Sequence, residues 1–199
     1  MSNLLLLEEQ IRKCTACRLF KGTNKAVPGE GNSEADIMFI GEAPGKAEDL
    51  SGIPFVGAAG KFLAQLLEVI NLNREDVYIT NIVKHRPPDN RDPQNDEIEA
   101  CKFYLDSQIK IINPKLIVTL GRHAMNRFMP GLKISEVHGK ARPVRLFESG
   151  VTDKVFFPLY HPASALYNPG LRGTLIDDMK KIPLLLKNID NFNNFDDSQ

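Results

Sequence analysis

Cys14-Thr-Ala-Cys17 is a C-x2-C pair, a spacing that can place two thiolates on one metal ion or cluster. Cys101 lies far downstream, with His85 sixteen positions before it, so Cys14, Cys17, His85 and Cys101 form a candidate set of four ligands. Thiolate with occasional imidazole suits zinc and iron–sulfur clusters alike, and residue chemistry leaves both open. Cys101 taken alone also reads as a buried apolar residue. A second group of chemistry-bearing residues follows short apolar runs: Gly41-Glu-Ala-Pro-Gly45, Asn81-Ile-Val-Lys-His85, Gly121-Arg-His123 and His161-Pro-Ala-Ser164. Turn formation accounts for Gly121. It does not account for Glu42, Asn81 and His161, a carboxylate, an amide and an imidazole each directly beside a buried strand. His123 opens a helix and reads as a surface or capping residue. The Gly41–Ala47 stretch is one residue short of a phosphate-binding loop, lacks Ser or Thr after Lys46, and carries a carboxylate that repels phosphate. No G-x-S-x-G elbow is present for hydrolase chemistry at Ser164.

Those turns need elements to position them. Residues 37–40, 77–80, 116–120 and 155–160 are β-branched or aromatic runs without strict alternation, the pattern of strands buried on both faces of a parallel sheet. Pro158 pushes the last of them toward an edge. Helical patterns cover residues 4–13, 59–70, 95–112, 122–129 and 175–186, the last broken at Pro183. Alternating strands and helices predict an α/β fold, a three-layer α/β/α domain on a four-stranded parallel sheet. The carboxyl ends of parallel strands share one edge, where open α/β sheets bind ligands, so the four turns converge there.

The chain has 199 residues, 42% hydrophobic and 25% charged, close to soluble globular averages. A single domain over residues 1–187 is expected, with residues 188–199, rich in Asn and Asp, as a disordered tail. At this length roughly 70% of the unfolded surface can be buried, so a metal site is not required merely to fold. Three cysteines and no secretory or membrane-spanning pattern point to the cytoplasm. The 25 basic and 25 acidic residues cancel only on average. Residues 113–147 carry a net of +6 and residues 30–50 a net of −5. A basic region that meets a polyanion, or two solvated faces of opposite sign, both fit this segregation.

Cys14-x2-Cys17, Gly41-Glu-Ala-Pro-Gly45, Pro54-Phe-Val-Gly57, Val77-Tyr-Ile-Thr-Asn81, Arg86-Pro-Pro-Asp-Asn-Arg91 and His161-Pro together closely resemble the family 4 uracil-DNA glycosylases, in order, over about residues 8–183. The resemblance implies a DNA repair enzyme that flips uracil out of double- or single-stranded DNA, hydrolyses its N-glycosidic bond and leaves an abasic site. It implies a [4Fe-4S] cluster held by four cysteines, carried over onto Cys14, Cys17, position 85 and Cys101. Position 85 departs from that pattern, since Lys84-His85-Arg86 stands where most relatives have Lys-Cys-Arg. Three outcomes follow: His85 as fourth ligand, which we favour, a labile three-cysteine cluster, or zinc in its place.

The resemblance further assigns uracil binding to Gly41, Glu42, Ala43, Glu48, Phe55, Asn81 and His161. Phe55 would stack on the base, Asn81 read its Watson–Crick edge, and Glu48 obstruct the thymine methyl. His161 would donate to O2, with Glu42 and Asn90 completing the catalytic group by stabilising the sugar cation or positioning water. DNA contacts fall to Arg86, Arg91, Lys140, Arg142 and Arg172, with Leu166 as a wedge beside Tyr167 and Leu171. A monomer with no membrane association and ordinary turnover is expected. The rival reading is a non-catalytic module that binds damaged DNA and is stabilised by a cluster or zinc.

Overall fold

The computed structural model describes residues 3–146 and 153–189. In chain order the elements are α1 (Asn3–Arg12), β1 (Glu30–Gly31), β2 (Ile37–Gly41), α2 (Lys46–Ser51), α3 (Ala58–Glu68), β3 (Tyr78–Asn81), α4 (Asn95–Ile112) and β4 (Leu116–Leu120). They continue with α5 (Arg122–Phe128), α6 (Ile134–Val137), β5 (Arg142–Arg145), β6 (Asp153–Leu159), α7 (Ser164–Tyr167), α8 (Gly170–Met179) and α9 (Ile182–Lys187).

The strand order is β1-β3-β2-β4-β6-β5. The four predicted strands are the central ones and are parallel to one another. The sheet nevertheless has six strands and is mixed, because β1 pairs antiparallel with β3 and β5 antiparallel with β6. Neither edge strand carries the apolar run that marks a buried one. Glu30–Gly31 has two residues, and Arg-Pro-Val-Arg carries an arginine at each end and a proline within, as edge strands do. Gly31 is needed where it stands: its φ is +123°, and a Cβ there would overlap the Val77 carbonyl across the pair.

Pro158 does not put β6 at an edge. β6 pairs with β4 along its length, and Pro158 lies past the end of β5, opposite Gly139, whose N–H donates to the Pro158 carbonyl (2.8 Å). A strand residue turns its nitrogen and carbonyl the same way, so the missing N–H costs β4 nothing.

Successive strand residues point to opposite faces and build two cores. Ile37, Phe39, Val118 and Phe157 pack with Phe62, Leu63, Leu66 and Leu67 of α3 and Leu175 and Met179 of α8. Met38, Ile40, Ile117 and Phe156 pack with Leu105 and Ile109 of α4 and Met125 of α5. Helices on both faces give the predicted three layers, and each fully buried side chain contributes about 1.5–3 kcal/mol. Leu7 and Ile11 of α1 form a smaller cluster with Ala26 against Tyr104 of α4. The expected break at Pro183 is real: α8 ends at Met179, and Pro183 takes the opening turn of α9, where its missing N–H has no intrahelical acceptor.

The expected tail begins too early. Ile189 is 4% exposed within the α3 core, and Asn188 donates to the Leu184 carbonyl (2.9 Å). Residues 190–199 lie outside the described residues, as do residues 147–152.

Candidate active site and thiol centre

The exits of β2, β3 and β6 meet at a cleft of about 360 Å³ whose lining includes Glu42, Phe55, Asn81, Asn90 and His161. The first turn is tied to the second, because the amides of Ile82 and Val83 donate to the Gly41 and Glu42 carbonyls (2.9 and 3.2 Å). Gly41 forms the floor. A Cβ there would lie 2.5 Å from both Asn81 Oδ1 and Phe55 Cζ, so only glycine allows these side chains to converge.

Asn81 is 1% exposed and its Oδ1 has no hydrogen-bond partner, an unusual state for a buried amide and one that a ligand N–H would relieve. Phe55 lies stacked with His161, ring centroids 5.7 Å apart and planes 29° off parallel. Its φ of +52° is strained for an aromatic residue. Arg74 holds it there, donating to the Phe55 carbonyl (2.9 Å) and the Pro54 carbonyl (2.7 Å) while it pairs with Glu30 (2.7 Å). Arg74, nineteen positions from Phe55 in sequence, gave no signal of this role.

His161 Nδ1 accepts from the Ala163 amide (3.1 Å), which places the proton of the neutral ring on Nε2. Burial pushes its pKa down to about 4, partly opposed by Glu48, so the imidazole is neutral near pH 7. Glu48 lines the cleft, yet both its oxygens serve the backbone. Oε1 accepts from Val56 and Gly57 (2.9 Å each) at the start of α3, and Oε2 from Gly45 (3.1 Å) at the start of α2. Burial raises the pKa of Glu42, an effect countered by His123, whose Nε2 lies 3.9 Å away. Asn90, at φ +54°, accepts from Arg86 (2.8 Å), so Arg86 fixes the orientation of a cleft side chain.

Beneath Asn81 lies a buried polar network absent from the sequence reading. Lys84 is 0% exposed and donates to Thr80 Oγ1, Gln108 Oε1 and the Asn81 carbonyl, each at 2.7 Å. Burial pulls its pKa down to about 7. Gln108 donates to the Pro28 carbonyl (2.9 Å) and to Tyr78 Oη (3.1 Å), and Tyr78 donates to Glu8 (3.1 Å). Helices α1 and α4 are thereby joined to the backbone of the amide that faces the cleft.

The predicted ligands gather on the other side of that network. The thiols of Cys17 and Cys101 are hydrogen-bonded, and the Cys101 thiol draws the pKa of Cys17 down to about 6, while Cys101 itself is pushed up by Cys17 and burial. Cys14 hydrogen-bonds with Tyr104 of α4. His85 is 5% exposed, neutral through burial, and its Nδ1 has no partner. Cys14 and His85 line one cavity beside α2. Among the described residues, three metal-binding atoms come within 4.8 Å of one another only at Glu42, Asp92 and His123. The cysteine and histidine donors are more widely spread.

The basic residues divide. Arg91 forms a bidentate pair with buried Glu97 (2.6 and 2.8 Å), which also accepts from the Gln94 amide to cap α4, so its guanidinium serves the fold. Arg172 lies over the Phe62 ring (4.4 Å) and donates to Gln65 (2.9 Å). Lys140 donates to the Glu136 carbonyl (2.7 Å), and Arg142 is exposed on β5. Just past His161, α7 presents Leu166, 45% exposed, and Tyr167, 89% exposed. No helix is long and apolar enough to cross a membrane among the described residues.

The chain matches the uracil DNA glycosylase superfamily over residues 28–182. It is 48% identical to a type-4 uracil-DNA glycosylase of Saccharolobus solfataricus, over 96% of this chain and 92% of that protein. It is 50% identical to one from Sulfurisphaera tokodaii, over 92% and 84%, and 41% identical to one from Thermotoga maritima, over 92% and 94%. The identities and this near-complete coverage have one explanation: the chain belongs to the type-4 uracil-DNA glycosylases of the uracil DNA glycosylase superfamily.

Proposed function

We propose that the protein excises uracil from DNA, and that Asn81, buried with an unpartnered Oδ1 over Gly41, carries this reading. Uracil offers an acceptor at O4 and a donor at N3, the complement of one carboxamide. The base must leave the helix to reach the cleft, at least cost from a weak U·G pair. Phe55 then covers its face.

As the C1′–N1 bond breaks, its electron pair passes to the uracil ring and negative charge gathers on O2. The Nε2–H of neutral His161 donates to that oxygen, with the backbone amides of the Gly41–Ala43 turn beside it. Water adds to C1′ as Glu42, aided by Asn90, orients it and takes its proton. The products are free uracil and an abasic site. Glu48, held by three amides, gives the cleft a rigid wall against which a C5 methyl would press. Lys140, Arg142, Arg86 and Arg172 follow the phosphates, and Leu166 with Tyr167 fills the space left by the base.

Cys14, Cys17, His85 and Cys101 fit a [4Fe-4S] cluster. Support comes from the paired Cys17 and Cys101 thiols and the orphaned His85 Nδ1. Zinc with Zn–S bonds of about 2.3 Å needs all its ligands roughly 3.8 Å apart, whereas no three of these donors lie within 4.8 Å of one another. What the cluster would supply is a tie between the segment after α1, α4 and the loop leaving Asn81. A monomer in the cytoplasm completes the reading.

Purified protein incubated with a uracil-containing oligonucleotide and then cleaved at abasic sites tests the activity. Binding without cleavage would favour the non-catalytic damage-binding module. Iron and acid-labile sulfide in the same preparation test the cluster; stoichiometric zinc without iron would refute it.

A further inference from the structure

Uracil excision as set out leaves His123 without a task, although its imidazole stands beside the cleft. His123 lies in the first turn of α5, immediately past the exit of β4. Its Nε2 is 3.1 Å from Asp92 Oδ2 and 3.9 Å from Glu42 Oε2. Arg122 completes the group, with Nε 2.9 Å from the same ring nitrogen and Nη2 3.1 Å from Asp92 Oδ2. One ring nitrogen therefore faces two carboxylates, both lining the cleft, and a guanidinium steadies Asp92.

A carboxylate that directs water needs a fixed orientation and enough stabilisation of its ionised form to accept a proton at working pH. Burial raises the pKa of Glu42; His123 and Arg122 lower it, and Asp92 raises it. Of the other charged or titratable groups lining the cleft, Arg91 is bound by Glu97, Glu48 is held by backbone amides, and His161 is neutral.

We propose that His123 is the positioning residue for Glu42: its imidazole, with Nε2 3.9 Å from Oε2, sets the orientation of that carboxylate, while Asp92 and Arg122 hold the ring in place. The inference rests on Glu42 handling the attacking water. Single-turnover excision should be measured across pH for His123→Ala, His123→Gln, Glu42→Ala and the His123→Ala/Glu42→Ala double variant, with DNA affinity measured alongside.

His123→Ala should slow excision about 10–100-fold, because Glu42 loses the group that orients it, with DNA affinity unchanged. The acid limb of its profile should move to higher pH, because the lowering effect of the imidazole on Glu42 is gone. His123→Gln, which keeps an N–H, should recover much of the rate but leave the acid limb displaced. The double variant should be no slower than Glu42→Ala, since a residue acting through Glu42 has nothing left to act on. A wild-type rate and acid limb in His123→Ala, or multiplied effects in the double variant while Glu42→Ala is slow, would overturn the role of His123 alone. A wild-type rate in Glu42→Ala would remove the assignment of Glu42 and that of His123 with it.

Discussion

Replacing Asn81 by Asp tests the base-reading assignment with the smallest change in shape. Asn81 is 1% exposed above Gly41, so whatever its amide faces in the cleft is shielded from water. The amide presents a donor to uracil O4 and an acceptor to N3–H. Cytosine, with an amino group at C4 and a bare N3, mismatches both. Each buried unpaired group costs about 1–3 kcal/mol, so two mismatches disfavour cytosine by about 2–6 kcal/mol, or roughly 30- to 10⁴-fold in rate.

Aspartate in the same place is also buried, which raises its pKa and favours the protonated acid. That acid offers one O–H and one C=O and can match either base by moving its proton. Uracil excision by Asn81→Asp should fall, cytosine excision should appear, and the cytosine activity should decline as rising pH ionises the aspartate and sets an acceptor against N3. The assay is single-turnover cleavage of matched oligonucleotides that carry one uracil or one cytosine. Wild-type rate with undiminished discrimination would remove Asn81 from this role.

Gly41→Ala should abolish excision and cost about 1–3 kcal/mol of stability, because the new methyl group overlaps the buried Asn81 and Phe55 side chains; activity within a few-fold of wild type would show that the cleft is not used as described. Arg74→Met, which removes the hydrogen bonds holding Phe55 at φ +52°, should raise KM about 3- to 10-fold with kcat nearly unchanged, read from steady-state excision; an equal loss of kcat would place its effect elsewhere. His161→Ala should lower kcat about 10²- to 10³-fold with little change in DNA affinity. Because folding lowers the pKa of His161 to about 4, the unfolded chain binds a proton between pH 6.5 and 4 that the folded one does not; stability should therefore fall with acidification in that window, by up to about 3 kcal/mol from this group, and less in His161→Ala. Denaturant titrations at pH 7 and pH 4.5 measure the difference.

The parallel strands were legible because burial on both faces forces continuous apolar runs, and β2, β3 and β4 are buried at every position. The residues after them were legible as chemistry because Glu42, Asn81 and His161 are polar where the strand pattern asks for apolar or turn residues. The edge strands were not, since β1 and β5 are held by backbone pairing that leaves little mark on side-chain types. Lys84 and Gln108 look like surface residues in the sequence. They are buried because Thr80, Tyr78 and the Asn81 and Pro28 carbonyls, spread over more than fifty positions, satisfy them together. Arg91 read as a DNA contact, because nothing local announces that Glu97, six residues on, takes its guanidinium.

Sequence by itself determined the layer architecture, the family, and which side chains reach the carboxyl edge of the sheet, because periodicity and motif order are properties of the chain alone. Tertiary structure decided their state. The tautomer and neutrality of His161, the orphaned oxygen of Asn81, the strain at Phe55 with its Arg74 clamp, and the meeting of His123 with Glu42 all depend on which distant groups exclude water or supply hydrogen bonds. Such proximities form only when the strands align, and the spacing of residues along the chain does not encode them.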